Sequence, residues 1–388
     1  MIETITDREG FAKLRDEWGD LLSGSSSSSL FLTWEWLFTW WKHLPADRSL
    51  FILVVRRGRE CLAICPFSIR PARLARLLPF RAIEFLGTGS VGSDYLDLIV
   101  KRGAEDEVFE ELSRHLSETR LPLELSQVRL ESSCSRFMAS RLRQDAWACS
   151  TRPTNVCPFI ELAGIDWPSY TASLSPAHRA NLARRLRGLS RLDAVCFEPA
   201  RTDAERREAL SLLFALHNAR WRHRGGSDAF NDRAILEFHE EFSGIALKKG
   251  WLRLMTLRVG SAPTAVFLGF RFGSTYSFYQ SGFDPAWSGH SVGLVAMGLA
   301  IKSAIEEGAG EFDLLHGAEP YKYHWARRER AIGRLEMYPP MLRGWTAHFA
   351  ARLGRVARRF GRRLPGLSPI TRPDRPVDPV LPGGGSVA

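Results

Sequence analysis

Apolar residues recur along the first half of the chain with alternating strand and helix periods. Two β-rich runs, 51–56 and 61–69, are separated by four residues that include a glycine, which is the spacing of a β-hairpin. A further strand is predicted at 95–100. Apolar side chains at steps of four then predict an amphipathic helix at 105–119, and a strand follows at 128–131. The first half is therefore expected to alternate β and α elements.

The second half predicts three helices, a three-stranded meander and a final mixed segment. Its expected elements are a strand at 159–162, helices at 176–192, 203–222 and 235–245, strands at 251–259, 264–272 and 275–283, a helix at 291–306, a strand at 311–316, an aromatic segment at 321–325 and a strand at 334–338. Ser175 and Pro176 begin the first helix, because serine caps helix starts and proline is favoured at the first helical position. Gly-Ser pairs separate the meander strands. The fold class is therefore predicted to be α/β, with mixed, largely antiparallel sheets flanked by helices.

Composition is typical of a globular protein and confines the excess charge to one end. The 388 residues are 45% hydrophobic and 25% charged, which suits a folded protein of two to three domains. The net charge is +10, but residues 343–375 hold nine arginines and one aspartate, a net +8, so about +2 is left for all other residues. Nucleic acid is therefore not expected as a partner of the main body.

The basic tail has the pattern of an amphipathic helix, predicted at 342–364. Its apolar residues stand at steps of three and four among arginines. Such a helix can contact an anionic membrane surface or a protein partner through 345–363, or it can pack on its own domain. Proline and glycine dominate residues 365–388, which are expected to be disordered.

Cysteine spacing and the N-terminal segment indicate a location. The six cysteines form no C-x-x-C pair and no other metal-ligand spacing, so we expect buried thiols, a reducing compartment and no metal. The N-terminal segment lacks the basic and apolar regions of a secretory signal, and no run of about 18 apolar residues exists. We expect a cytoplasmic protein, with the tail as a means of peripheral contact with the inner membrane.

Two segments of the first half are predicted to be loops. The serine run 25–29 is expected to be flexible, because such runs cannot pack a core. Gly87, Gly89 and Gly92 match the G-x-G-x-x-G dinucleotide fingerprint, but that motif needs a helix start directly after the glycines, and a strand pattern follows here. These glycines are therefore interpreted as a turn.

The segment 276–325 holds the best candidate for a ligand site. The predicted strand at its start contains Tyr279, Gln280 and Ser281. A loop of small residues then leads into a helix through Gly289, Ser291, Val292 and Gly293. Exposed N–H groups at a helix start can bind a phosphate, and a glycine there allows close approach. A purely structural strand-turn-helix is the alternative.

This order of elements resembles the acyl-CoA-binding half of the GNAT acetyltransferase superfamily. More closely, five motifs look like the CelD-type acetyltransferases associated with bacterial cellulose or exopolysaccharide synthesis, which are similar in turn to the Fem-type peptidyltransferases with their two GNAT-like halves. The motifs are Ser93-Asp94-Tyr95-Leu96-Asp97, His178-Arg-Ala-Asn181-Leu-x-Arg184-Arg185, Tyr279-Gln-Ser-Gly-Phe-Asp284, Ser291-Val-Gly293 and Asp313-Leu-Leu-x-Gly317-x-Glu319-Pro320-Tyr321-Lys322-Tyr323-x-Trp325. The resemblance covers residues 159–338 well and residues 1–150 more loosely.

The resemblance implies acyl transfer from a thioester such as acetyl-CoA, as co-substrate, to an amine or hydroxyl. Backbone groups around Tyr279, Gln280 and Ser281 would contact the pantetheine and thioester, and the loop 289–293 would hold the pyrophosphate. The loop departs from the family pattern Arg/Gln-x-x-Gly-x-Gly/Ala, because Ser288 and Ser291 replace Arg/Gln and Gly. Aminoacyl-tRNA, the donor of Fem-type enzymes, therefore stays open as an alternative donor.

Direct transfer needs a base, a polarised carbonyl and an acid for the leaving thiolate. Glu319 is the candidate base, and Tyr321 and Tyr323 are candidate acids. Lys322 is a candidate cation for phosphate or for developing negative charge. Each has a structural alternative, because tyrosines after a strand often close a core and a lysine can be a solvated charge.

Two further groups are candidates for substrate binding. Asp94, Tyr95 and Asp97 would bind the acceptor, or they belong to a turn at a strand edge. Arg184 and Arg185 would grip phosphates of donor or acceptor, or they form the solvated basic face of an amphipathic helix. In addition, Asp313 stands in an apolar strand, where its charge needs a partner or a pocket that faces water.

Together these observations predict two GNAT-like halves, 1–150 and 151–341, with a cleft between them and the acyl donor on the second. The predicted function is N- or O-acyl transfer to a sugar or polysaccharide precursor by direct transfer. Two alternatives stay open: a Fem-like transferase that uses charged tRNA, and a non-catalytic scaffold of a polysaccharide-synthesis complex.

Overall fold

The computed structural model describes residues 1–74, 78–89, 91–131, 133–222, 230 and 232–340. The predicted basic helix and tail, from residue 342 onward, lie outside the described residues. The described chain forms two compact units, one of residues 1–154 and 331–340 and the other of residues 155–330.

Helices and strands alternate through both units. The first unit contains β1 (Ile2–Ile5), α1 (Arg8–Lys13), α2 (Arg15–Ser23), α3 (Trp34–His43), β2 (Ser49–Leu50), β3 (Ile52–Arg57), β4 (Glu60–Cys65), β5 (Phe67–Leu74), β6 (Leu78–Phe85), β7 (Ile99–Val100), α4 (Glu105–Thr119), β8 (Leu123–Arg129) and α5 (Cys134–Gln144). The chain continues through β9 (Ala148–Glu161), α6 (Trp167–Ser173), α7 (Pro176–Leu192), β10 (Val195–Pro199), α8 (Asp203–Arg222), α9 (Arg233–Lys248), β11 (Leu252–Val259), β12 (Ala262–Phe272), β13 (Thr275–Phe283), α10 (Val292–Glu306), β14 (Glu311–Asp313) and β15 (Arg328–Tyr338). The predicted α/β class is confirmed.

The first unit contains two sheets. One has the strand order β1-β3-β4-β7, and in the other β15, β8, β6, β5 and β2 are neighbours in that order. The predicted hairpin is confirmed as β3 and β4, which pair antiparallel. The run 61–69 is not one strand, because the chain changes sheet at Pro66 and β5 pairs with β6. A proline lacks the N–H that a central strand needs.

Other elements of the first unit also differ from the predictions. The strand predicted at 95–100 is reduced to β7, because Tyr95 has a φ of 57° and belongs to a turn. The strand predicted at 128–131 is the longer β8, and α5 was not predicted. Residues 331–340, which the sequence placed in the second half, lie in the first unit because β15 pairs with β8 from Ile332 to Met337.

The two predicted loops have different outcomes. The serine run is tied into the unit: Ser25 is buried and bridges to Lys101, and Ser27 Oγ donates a 2.7 Å hydrogen bond to Asp97. The expectation that these serines could not join a core was wrong, since their hydroxyls find partners. Gly87, like the two glycines after it, has a positive φ, and no helix begins before α4. The turn interpretation is confirmed.

The second unit builds one sheet with helices on both faces. Strands β10, β11, β12, β13, β14 and the end of β9 are neighbours in that order. Strands β11, β12 and β13 form the predicted antiparallel meander. Phe267 and Tyr276 pack with α10 in one core, whereas Phe270 packs on Phe242 of α9 on the other face. The strand β10, which pairs with β11, was not predicted.

Thiols, membrane spans and metal ligands were also examined against the predictions. All six cysteines are free, and Cys65, Cys134 and Cys157 are buried as predicted, whereas Cys196 is exposed. Within the described ranges, no helix combines the length and apolar character needed to cross a membrane. Across those same ranges, no three His, Cys, Asp or Glu side chains are grouped so that they could hold a metal ion.

Candidate functional site

Strands β13 and β14 separate shortly after they begin. They pair in parallel only from Thr275 to Ser277, opposite Glu311 to Asp313. Asp313 then accepts a 2.7 Å hydrogen bond from the N–H of Leu315, whose φ is 53°, so the chain turns away. The later part of β13 therefore has no neighbour on this side among the described strands. We call this opening the β13–β14 fork.

A β-bulge lies in β13 beside the fork. Gln280 is opposite Leu268 whereas Phe278 is opposite Gly269, so Tyr279 is the extra residue. The Tyr279 ring contacts His239 of α9, with ring centroids 5.5 Å apart. The side chain of Gln280 accepts a 3.0 Å hydrogen bond from the N–H of Ser281. Tyr279 thus anchors the strand on the α9 side, and only its backbone is left for the α10 face.

The loop after β13 leads into α10, as predicted. Ser291 adopts the left-handed conformation with a φ of 55°, and the helix begins at Val292. The carbonyl of Ser291 accepts from the N–H groups of Leu294 and Val295 at 3.0 and 3.2 Å. The N–H groups of Val292 and Gly293, at the helix start, have no intrahelical acceptor. Because the Val292 side chain is fully buried, it fixes this helix start on the core.

An arginine from α7 contacts this loop. Nη1 of Arg185 donates a 2.7 Å hydrogen bond to the carbonyl of Gly289, which is itself exposed. Nε of Arg185 is buried and has no hydrogen-bond partner. Arg184 is exposed and donates to Asn181 of its own helix at 2.8 Å. Of the two predicted arginines, the structure therefore brings Arg185 to the loop.

The turn after β14 is held by a buried ion pair. Nζ of Lys322 lies 2.9 Å from a carboxylate oxygen of Glu319, and it donates to the carbonyls of Leu315 and His316 at 3.1 and 2.7 Å. Gly317, between them, has a φ of 118°, and a Cβ there would lie 2.3 Å from the Glu319 carboxylate. The predicted role of Lys322 as a cation for ligand phosphate needs an open ammonium, whereas this ammonium is engaged internally.

The β13–β14 fork, the loop before α10 and the turn after β14 lie within one stretch of sequence. Residues 176–323 match the acetyltransferase (GNAT) domain family. The match begins with α7 and ends at Tyr323, so it includes the Arg185 contact as well as the fork. The second unit thus carries a GNAT domain, which confirms that part of the predicted resemblance; the narrower CelD-like resemblance stays a prediction. No curated protein matches the chain.

Solved structures with a similar fold cover most of the chain. FemX superposes with a TM-score of 0.60 at 10% identity, over 87% of this chain and 96% of its own. A conserved protein of unknown function from Bacteroides thetaiotaomicron VPI-5482 gives 0.54 at 14%, over 87% and 100%. The C-terminal domain of a putative lysylphosphatidylglycerol synthetase from Agrobacterium fabrum gives 0.53 at 11%, over 88% and 96%. At these identities the similarity concerns the fold alone.

The two predicted acids of the GNAT domain lie in different environments. Tyr321 is half-buried and packs against the hydrophobic core. Tyr323 is 42% exposed, and its hydroxyl donates a 2.5 Å hydrogen bond to Glu329. Partial burial and the Glu329 carboxylate raise the pKa of Tyr323 to about 12. Tyr323 therefore keeps its proton at neutral pH.

A histidine that the sequence analysis quoted only as part of a motif is buried beside this turn of the GNAT domain. His178, in the first turn of α7, stacks on His324 at 5.2 Å and meets the edge of Trp325 at 4.4 Å. Its Nε2 is buried without a hydrogen-bond partner. Burial lowers the pKa of His178 to about 4, and the neighbouring His324 adds to the effect. The spacing of the sequence gives no signal for this contact, because its partners lie far along the chain.

The charge of Asp313 is compensated within the GNAT domain. Its carboxylate lies 3.5 Å from Nη1 of Arg330, which also donates to Glu311 at 2.7 Å. The guanidinium of Arg330 lies over the ring of Phe159, 3.6 Å from its centroid. The expectation that Asp313 needs a partner is confirmed.

The predicted acceptor residues of the first unit make internal contacts. Asp94 is buried and accepts from Nε2 of Gln127 at 3.0 Å, and the ring of Tyr95 lies under the Arg129 guanidinium at 4.9 Å. Asp97 accepts from the N–H groups of Cys134 and Ser135 at the start of α5, at 2.9 and 2.8 Å. Burial raises the pKa of Asp97, and these hydrogen bonds oppose the effect. Asp97 therefore acts as a cap for α5.

Proposed function

We propose that the GNAT domain binds an acyl thioester, with acetyl-CoA as the donor, and transfers the acyl group directly to an amine or hydroxyl of a saccharide acceptor. The observation that carries this proposal is the β13–β14 fork, which lies inside the segment that matches the acetyltransferase (GNAT) domain family. The fork leaves a strand edge free for an extended donor, and a helix start follows it.

The donor pyrophosphate would bind at the start of α10. The free N–H groups of Val292 and Gly293 and the helix dipole both favour an anion there. Arg185 holds the carbonyl of Gly289 and carries a positive charge to the same loop. The half-buried Gly293 leaves room, since a Cβ added there would meet only the Phe283 ring at an ordinary 3.5 Å.

The transfer itself would be a single displacement at the thioester carbonyl. The acceptor lone pair attacks the carbonyl carbon, the new C–N or C–O bond forms, and the C–S bond breaks to release a thiolate. The thiolate takes a proton from Tyr321 or Tyr323, and the acceptor proton passes to water or to a base. Lys322 and Glu319 are assigned a positioning role, because their ion pair fixes the turn that carries Tyr321 and Tyr323.

Calorimetric titration with acetyl-CoA tests the donor. The wild-type chain should bind in the micromolar range, and Gly293→Asp should lose binding because its carboxylate repels the pyrophosphate while suiting a helix start. The matched control is Gly19→Asp in α2, which adds the same charge where no other heavy atom lies within 4 Å. Absence of binding to the wild type, or equal binding by Gly293→Asp, would reject acetyl-CoA as donor at this loop.

Transfer from a charged tRNA is the second candidate. It is favoured by the arginine face of α7, where Arg179, Arg184, Arg187 and Arg191 are exposed, and by the serines that replace the usual loop residues. It predicts tRNA binding that weakens steeply with salt and that is lost when these arginines are replaced by glutamine. Binding of neither donor would leave the scaffold role in a polysaccharide-synthesis complex.

A further inference from the structure

One face of a sheet in the first unit carries polar side chains in a row. Antiparallel register sets Ser68 opposite Glu84 and sets Glu124 opposite Glu336. The parallel pairing of β6 and β8 places Glu84 beside Glu124. All four side chains are buried. We call Ser68, Glu84, Glu124 and Glu336 the polar row.

Arginines compensate the charge of the polar row. Nε of Arg48 and Nε of Arg70 lie 2.6 and 2.9 Å from the two carboxylate oxygens of Glu84. The remaining ion pairs are Arg70 with Glu124, Arg334 with Glu124 and Glu336, and Arg152 with Glu336. Four arginines thus face three glutamates, and the network is nearly neutral. The side chain of Arg48 is 17% exposed and that of Arg152 is 46% exposed, so the guanidinium layer reaches solvent.

Stability alone does not account for this arrangement. Like charges on adjacent strands repel each other, and buried ion pairs gain little over apolar side chains of similar size. The opposite face of the same strands is apolar, with Ile83, Leu123 and Leu335 fully buried. An apolar residue in place of each glutamate would therefore serve a purely structural layer as well.

Three buried polar atoms around Arg48 have no hydrogen-bond partner. They are Oγ of Ser68, Nε1 of Trp40 and Oγ1 of Thr88. Ser68 stands opposite Glu84, the Arg48 guanidinium lies 5.2 Å from the Trp40 ring centroid, and Nη2 of Arg48 is 3.5 Å from the Thr88 carbonyl. Each unsatisfied buried group carries a free-energy cost, and three such groups around one ion pair indicate a missing hydrogen-bonding partner.

We propose that this part of the first unit, built from the polar row with Arg48, Trp40 and Thr88, binds a neutral polyhydroxylated ligand of the saccharide class. Carboxylates accept, guanidinium and indole N–H groups donate, and Ser68 and Thr88 hydroxyls do both, which matches ligand hydroxyls that also donate and accept. The near-neutral network disfavours a polyanion, which would be repelled by the three carboxylates. The site rests on first-unit residues alone and does not depend on the proposed acyl transfer.

Ligand-observed NMR and calorimetry on the full chain, without any acyl donor, test this site. The probes are glucose, glucosamine and cellobiose, with citrate as the anionic comparison. At least one sugar should bind and citrate should not. Ser68→Ala should weaken sugar binding about three- to tenfold, the effect of one hydrogen bond, while the unfolding midpoint stays equal or rises, because an unpaired hydroxyl is removed.

A matched control separates binding from folding. Ser93 is also buried in the first unit, but its Oγ accepts a 2.9 Å hydrogen bond from Nε1 of Trp36. Ser93→Ala should therefore lower the unfolding midpoint and leave sugar affinity unchanged. Thr88→Val is the second site variant and should behave like Ser68→Ala. Absence of sugar binding at about 10 mM, preference for citrate, or wild-type affinity in both site variants would overturn the proposal.

Discussion

The ammonium of Lys322 lies 2.9 Å from the carboxylate of Glu319, and both side chains are almost fully buried. The same ammonium donates to two backbone carbonyls of the turn that follows β14. Two residues three positions apart thus fix a backbone segment in which Leu315 and Gly317 have positive φ values. The turn depends on both charges together, because either one alone would be buried without compensation.

Lys322→Met should destabilise the second unit by about 3–5 kcal/mol, the cost of leaving a buried carboxylate unpaired. The double variant Lys322→Met with Glu319→Gln should lose less than Lys322→Met, since no isolated charge is then buried. Urea denaturation measures both. The control is Lys302→Met, which breaks an exposed pair with Glu306 and should change stability by under about 0.5 kcal/mol. An equally small loss in Lys322→Met would show that the pair does not hold the turn.

Asp97→Ala should lower the free energy of unfolding by about 2 kcal/mol, because it removes the cap of α5 and the acceptor for the Ser27 hydroxyl. Chemical denaturation checks this, with Asp20→Ala as the exposed control in α2. Unchanged stability in Asp97→Ala would favour the acceptor-binding role that the sequence predicted instead.

Arg185→Gln should weaken acetyl-CoA binding roughly tenfold, because it removes a charged hydrogen bond to the loop that leads into α10. Arg187→Gln on the same helix is the control, since Arg187 is exposed and its removal subtracts the same charge. Calorimetry compares the two. Equal effects would mean that the charge of α7 matters to the donor and the contact with Gly289 does not.

Stability should fall as the pH drops from about 6.5 towards 4. Burial lowers the pKa of His178 to about 4 and that of His239 to about 3, from 6.5 for ordinary imidazole. The unfolded chain therefore takes up protons over this range that the folded chain does not, so the free energy of unfolding decreases. Urea midpoints measured across the range should show the decrease in the wild type.

Two variants assign this pH dependence. His239→Phe should flatten it whatever its absolute stability, because the titrating group is removed from the aromatic cluster around Phe230 and Tyr279. His290→Phe, at an exposed position, should keep the wild-type slope. The same slope in His239→Phe as in the wild type would show that His239 does not contribute.

Local sequence patterns predicted the elements whose contacts are mostly their own. The helices α4, α7 and α10 and the meander β11–β13 form where apolar periods and Gly-Ser turns placed them. The pattern failed for β9, whose residues 151–154 are exposed and break the alternation, and for the run 61–69, where one proline sends the chain into another sheet. The loop before α10 was found because its small residues sit directly between a strand and a helix.

By itself, the sequence determined the α/β class, the donor loop from Gly289 to Gly293, and the turn that carries Tyr321 and Tyr323. Only the tertiary structure decided that Lys322 is engaged by Glu319, that Asp97 caps α5, and that β15 lies beside β8. The physical reason is one of range. Periodicity and turn chemistry act between residues a few positions apart, whereas the partner of a buried charge or of a strand edge is set by packing between segments far apart in the chain.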